Sequence, residues 1–277
     1  MRVSRLRTSG ASIVWGMTAT GADAKHALPE RILAAGVHLF TASGVLLALA
    51  MVHFSYLQDV RAVLWLFLAA MFIDGVDGFL ARGARVKTVL PNIDGALLDN
   101  IVDFITYAFA PMVLLWSTGY LPGGIAGGAV AGAVLLASAY QFCRTDAKTD
   151  DHFFRGFPSY WNIVAFYVVV LGLGQVATVV LLLALAVASF VPIDYLYPSR
   201  TRQLWRTTMV LTALWFVGYA AAVATMPDTP TWITAATLLY VVYYTVASLV
   251  LTVRRRRGAT SGATSGSTSR AADGAMR

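Results

Sequence analysis

The chain has 277 residues, of which 58% are hydrophobic and 13% charged, and its mean hydropathy is +0.67. A soluble domain carries about 25% charged residues, so a soluble all-α core is a poor second to a polytopic helical membrane protein. The formal charge of +7 comes mostly from arginine. No basic and aromatic module accompanies it, so it points to membrane topology and anionic lipid, and no nucleic acid partner is expected.

Residues 1–28 are basic but broken by Gly, Ser and Thr, which reads as a flexible cytoplasmic arm and not a signal peptide. Apolar runs of about 20 residues then predict eight transmembrane helices. They cover 32–54, 60–82, 95–119, 122–143, 159–172, 175–195, 206–226 and 230–253. The fifth is short, and only the Gly172–Gln175 stretch divides it from the sixth. Charge favours eight spans over seven. Basic residues follow span two (Arg82, Arg85, Lys87), span four (Arg144, Lys148, Arg155), span six (Arg200, Arg202, Arg206) and span eight (Arg254 to Arg257). The alternate loops hold no Lys or Arg, so the positive-inside rule puts both termini and every basic loop in the cytoplasm. The expected layout is one membrane domain over 29–257 and a Gly/Ser/Thr-rich disordered tail over 258–277. The single cysteine, Cys143, cannot form an internal disulfide.

The stretch from Asp74 to Asp103 holds unusual negative charge between apolar runs. Asp74 and Asp77 are three apart and Asp99 and Asp103 four apart, so each pair shares one helix face. A loop containing Pro91 joins the two helices, which therefore run antiparallel. At ~1.5 Å rise per residue, Asp77 and Asp99 lie roughly 7 and 6 Å from the cytoplasmic helix ends, and Asp74 and Asp103 both about 12 Å. Four carboxylates can therefore converge in one cytoplasmic pocket. Each would cost about 2.5–3.5 kcal/mol at mid-bilayer, and bound divalent cations remove the conflict. An all-oxygen set suits Mg²⁺ or Mn²⁺, and paired metals are the usual clamp for displacement at phosphorus. Gly78 and Gly95 leave room for close approach, Ala81 is small, and Arg82 offers a fork for phosphate. Membrane glycines also serve helix packing, and Arg82 also satisfies topology. Asp94, directly before Gly95, reads as an N-cap.

Asp74-x-x-Asp77-Gly78-x-x-Ala81-Arg82, twelve residues, then Gly95-x-x-x-Asp99-x-x-x-Asp103 resembles the CDP-alcohol phosphotransferase signature. The spacer is longer than the family's usual eight or nine. That length, the extra Asp74-Gly75 step, Gly156–Asn162 and Phe190–Arg202 resemble the bacterial phosphatidylcholine synthase branch, over roughly residues 28–255. The resemblance implies Asp74, Asp77 and Asp99 as metal ligands, with Asp103 in a second metal site or as general base. It implies that Gly78, Ala81, Arg82 and Gly95 bind CDP-diacylglycerol. It further implies Mn²⁺, with Mg²⁺ as the alternative, as two ions. The implied reaction joins CDP-diacylglycerol and choline to give phosphatidylcholine and CMP, in a bacterial inner membrane. Relatives in the family are often homodimers.

Choline has no N–H to donate, so aromatic faces should recognise it. Tyr107, Tyr160 and Trp161 are the candidates, with Asn162 as polar partner, although an interfacial aromatic belt also accounts for such residues. Asp151 and His152 adjoin the same region, and His26, His38 and His53 form no cluster. Arg144, Lys148 and Arg155 could instead serve an anionic acceptor, so serine, glycerol phosphate or inositol stays open as the alcohol. From other classes, a cation-coupled transporter would spread polar residues through several spans, and a structural metal protein would leave Arg82 and the glycines without a purpose.

Overall fold

A computed structural model of the chain describes residues 26–147, 149, 153–198, 201 and 204–256, and the backbone alone from 257 to 274. Residues 1–25 of the expected flexible arm, and Lys148, Asp151, His152, Arg200 and Arg202, lie outside the described residues, and Leu28 already begins the first helix. The chain is an all-α polytopic membrane protein. In order it forms α1 (Leu28–Tyr56), α2 (Val60–Gly83), the single turn α3 (Val86–Val89), α4 (Gly95–Asp103), a π-helical turn (Phe104–Phe109) and α5 (Ala110–Ser117). Then come α6 (Gly124–Cys143), β1 (Phe153–Arg155), α7 (Trp161–Val170), α8 (Gln175–Ala188), β2 (Asp194–Leu196), α9 (Trp205–Ala224) and α10 (Thr231–Gly274). The tail read as disordered falls on the part of α10 whose side chains are outside the described residues.

Among the described residues six helices are long and apolar enough to cross a bilayer, with α4, the π turn and α5 counting as one and α10 contributing Thr231–Arg256. The expected fifth and sixth spans fall on the two shorter apolar helices, α7 and α8. α7 and α8 have 10 and 14 residues, or about 15 and 21 Å against a hydrocarbon core of ≈ 30 Å. They form a hairpin whose tip rests on the α5–α6 loop, where Gln175 Nε2 donates to the Gly119 carbonyl at 3.0 Å. The missing length is taken up at the other end by non-helical backbone over 156–160. Gly156 N–H donates to the Ile193 carbonyl and Phe157 N–H to the Ala188 carbonyl, at 2.8 and 3.2 Å. Irregular backbone is tolerated at such depth where protein covers it, and Gly156, Phe157 and Ser159 are buried. Gly156 has φ +83°, and a Cβ there would lie 2.2 Å from the Ser189 carbonyl oxygen. Only glycine fits.

The main core joins α2, α5, α6, α7 and α9 around Phe67, Leu114, Trp161, Phe166 and Tyr219. The strands pair antiparallel, with Phe154 opposite Tyr195 and Arg155 opposite Asp194. Arg155 and Arg255 both meet Asp194, which ties this small sheet to α10.

Candidate active site

The carboxylates come from α2 and α4, and each helix is started by an aspartate. Asp59 accepts from Ala62 N–H at 2.9 Å. Asp94 accepts from Ala96 and Leu97 N–H at 3.0 Å each, the N-cap read from its place before Gly95. Oxygens of Asp74, Asp99 and Asp103 all lie within 4.8 Å of one another, and all three side chains are half-buried. Oxygens that share one small hard cation at ~2.1 Å stand at most about 4.2 Å apart, so a small inward rotation suffices to fit an ion to this set. The donors are all carboxylate oxygen, which matches Mg²⁺ or Mn²⁺ chemistry.

Asp77 lies outside this trio. It is 6% exposed, and its Oδ2 accepts from the Thr41 hydroxyl of α1 at 2.9 Å. It still lines the same small cavity as the other three, together with Thr41, Gly44 and Thr106. Tyr107 is buried one turn beyond Asp103, and its hydroxyl donates to Asp74 Oδ2 at 2.8 Å. The π turn brings it there. Ala110 N–H bonds the Ile105 carbonyl, five residues back, a wide turn of the kind often found beside functional sites.

The other residues of the motif lie further along α2 or at the start of α4. Arg82 is exposed, with its guanidinium 4.7 Å above the Phe79 ring. A Cβ at Gly78 would sit 3.3 Å from Arg82 Nη1. Ala81 packs against a separate small core of Ala34, Val37, Val86 and Val89. At Gly95 a Cβ would come within 2.8 Å of His38 Cε1, so a larger residue there would force the His38 ring of α1 to shift. Gly44 has the same role toward Val102, at 2.4 Å.

A larger cavity of about 210 Å³ opens beside Asp74, Asp99 and Asp103, and Tyr107, Tyr160, Phe154 and Tyr197 form its aromatic lining. Tyr107 and Tyr160 therefore stand where the sequence put them. Trp161 and Asn162 do not. Both are fully buried. Trp161 donates to Ser138 Oγ at 2.6 Å in the packing between α6 and α7. Asn162 Oδ1 accepts from Ile163 N–H at 2.9 Å. Both residues fall in the first turn of α7, behind the cavity wall. Thr41, Gly44, Phe154 and Tyr197 were missed. The spacing of Thr41 and Gly44 was a usable signal, because residues three apart share a helix face. Among the described residues Arg144 is the one cation lining this cavity, and its guanidinium is held by both oxygens of Asp146, at 2.6 and 2.8 Å. That pairing keeps the Asp146 carboxyl well below the usual carboxylate range and raises Arg144.

The family model for CDP-alcohol phosphatidyltransferase matches residues 37–191. The chain belongs to this family. The matched region takes in α2 and α4 with all four aspartates. Among curated relatives, the phosphatidylcholine synthase of Borreliella burgdorferi is 37% identical over 227 residues, 81% of this chain and 97% of that protein. The phosphatidylcholine synthase of Rhizobium meliloti is 33% identical over 82% of this chain and 94% of its own length. That of Legionella pneumophila is 47% identical over 61% of this chain and 66% of its own.

Proposed function

We propose that this enzyme transfers a phosphatidyl group from CDP-diacylglycerol to choline, releasing CMP, at the cytoplasmic face of a bacterial inner membrane. The observation that carries the reading is the three-carboxylate cluster opening into an aromatic-lined cavity, on a chain whose relatives are named phosphatidylcholine synthases. Residues 29–257 form the catalytic membrane unit in this reading.

Asp74, Asp99 and Asp103 would hold divalent metal, Mn²⁺ by preference, and Asp77 would join through the cavity the four share. Bound there, the metal supplies charge neutralisation at the diphosphate. Tyr107 keeps one Asp74 oxygen turned toward its neighbours, and Thr41 does the same for Asp77. Arg82 and Gly78 receive the nucleotide end. Asp103 accepts the proton of the choline hydroxyl. The choline oxygen bonds to the lipid-side phosphorus as the bond from that phosphorus to the CMP oxygen breaks, and CMP leaves with the electron pair. The acyl chains remain in the bilayer throughout, which accounts for a charged site at this depth.

The choice of alcohol follows from the lining. Serine and glycerol phosphate each present an anion, which calls for available cations at the cavity. Arg144 and Arg155 are both paired with Asp146, while aromatic side chains, suited to a cationic amine, line the cavity. A cation transporter finds less support, because the acids gather at one end of two helices.

The test is purified protein in detergent with CDP-diacylglycerol, Mn²⁺ and labelled choline. CMP and labelled phosphatidylcholine are expected, and both disappear with EDTA or Asp103→Asn. Transfer to serine, glycerol phosphate or inositol and not to choline overturns the acceptor. No CMP with any alcohol overturns the chemistry.

A further inference from the structure

Phe154 of β1 and Tyr197, the residue after β2, contribute to one wall of the cavity. Strand residues alternate between faces. Phe153 and Leu196 are paired across the strands and are 0 and 1% exposed, packed toward the bundle. The opposite face therefore carries Phe154 and, two residues past its partner Tyr195, Tyr197. The rings of Phe154 and Tyr197 lie 4.5 Å apart at 31°, side by side along the cavity. Phe154 stands nearly perpendicular to Tyr160, at 6.3 Å and 83°, and Tyr160 leans on Tyr107 at 6.3 Å. Tyr107 in turn touches Asp74. A continuous aromatic lining thus turns a corner and ends at the carboxylates.

The sheet is anchored, not loose. Thr252 of α10 accepts from Asp194 N–H and donates to the Asp194 carbonyl, both at 3.0 Å. Ser248 accepts from Leu196 N–H at 3.1 Å. Tyr244 of α10 donates to the Leu196 carbonyl at 2.9 Å and stacks on Tyr195. The rings are therefore held in place before any ligand arrives, which removes an ordering cost from binding.

A quaternary ammonium offers no hydrogen to donate. It is held by the negative faces of aromatic rings within about 6 Å of their centroids. We propose that the trimethylammonium end of the acceptor is seated in the corner formed by Phe154, Tyr197 and Tyr160. Phe154 and Tyr197 then set the preference for a quaternary amine over a neutral alcohol of the same shape. The inference rests on choline being the acceptor, as proposed above. In this arrangement the hydroxyl end of choline is directed along Tyr107 toward the carboxylates.

The experiment uses the full chain with Phe154→Leu, Tyr197→Leu and Phe154→Trp. It measures KM for choline, KM for CDP-diacylglycerol, and inhibition by 3,3-dimethylbutan-1-ol, the uncharged isostere of choline. The leucine variants keep apolar bulk and lose the ring face. KM for choline is expected to rise about five- to thirtyfold in each, with inhibition by the isostere and KM for CDP-diacylglycerol moving far less. Phe154→Trp, which keeps a ring face, is expected to stay close to the parent protein in KM for choline. An unchanged choline KM in both leucine variants overturns the seat. So does an equal loss for choline and its isostere, because that reports shape alone. Absence of choline-dependent CMP release from the parent protein is a separate outcome, which removes the underlying function and the seat with it.

Discussion

Substituting alanine for Gly44 probes whether helix packing sets the carboxylate geometry. The new Cβ would lie 2.4 Å from Cγ1 of Val102, where carbon atoms prefer about 3.5–4.0 Å. Either α4 retreats from α1 by about 1 Å, by that difference, or Val102 leaves the χ1 rotamer that a helix strongly prefers for valine. Overpacking of this kind costs about 1–3 kcal/mol. Val102 directly precedes Asp103 and follows Asp99 by three residues, so a retreat of α4 carries two of the three clustered carboxylates with it. A misplacement of ~1 Å at reacting groups can cost roughly a hundredfold in rate. Gly44→Ala is therefore expected to lower choline-dependent CMP release by about two orders of magnitude, with only a modest fall in Tm. Val102→Ala removes the offending methyl and leaves its Cβ an ordinary 3.9 Å from the new carbon. The Gly44→Ala/Val102→Ala double variant should recover most of the lost turnover, and the single Val102→Ala completes the cycle. Parent-like activity in Gly44→Ala, or no recovery in the double variant, would refute the idea that the α1–α4 contact fixes the acids.

Tyr107→Phe deletes the hydroxyl that donates to Asp74. A hydrogen bond to a charged group is worth about 1.5–3 kcal/mol, so a Mn²⁺ titration of CMP release should show at least a tenfold weaker activation. An unmoved activation constant would count against Tyr107 as the group that orients Asp74. At the membrane surface, Arg144 and then Arg155 hold Asp146 below the usual carboxylate range. A carboxyl depressed in the folded state stabilises it above the unfolded pKa, near ~3.9, and that contribution fades as pH falls through the lower folded value. The Tm gap between the parent protein and Asp146→Ala should thus hold steady down to about pH 5 and narrow below about pH 4. A gap that closes between neutrality and pH 5 would rule the linkage out.

Local rules carried much of the reading of the acidic region. Helical spacing put Asp74, Asp99 and Asp103 on facing sides of neighbouring spans, and the capping rule identified Asp94. Apolar runs located every long helix. What escaped were features that depend on partners distant in the chain. The shortness of α7 comes from backbone over 156–160 packing on the end of α8, and no hydropathy window records that contact. Trp161 carries the same ring whether it faces a ligand or a neighbour, and only the place of Ser138 on α6 decides for the neighbour. Phe154 and Tyr197 sit in or beside strands of three residues, too short for alternation to be seen. The separation of Asp77 from the trio reflects Thr41 on a third helix.

The wide turn at Phe104–Phe109 works as a joint midway along a single bilayer crossing. Winding the same residues as an ordinary α-helix would swing α5 by about 100° relative to α4. The lower half of this crossing presents its acids toward α1 and α2, and the upper half is free to choose which side it presses into α6 and α7. Repacking the outer part of the protein, by drift or by engineering, can therefore proceed without re-aiming the reacting groups.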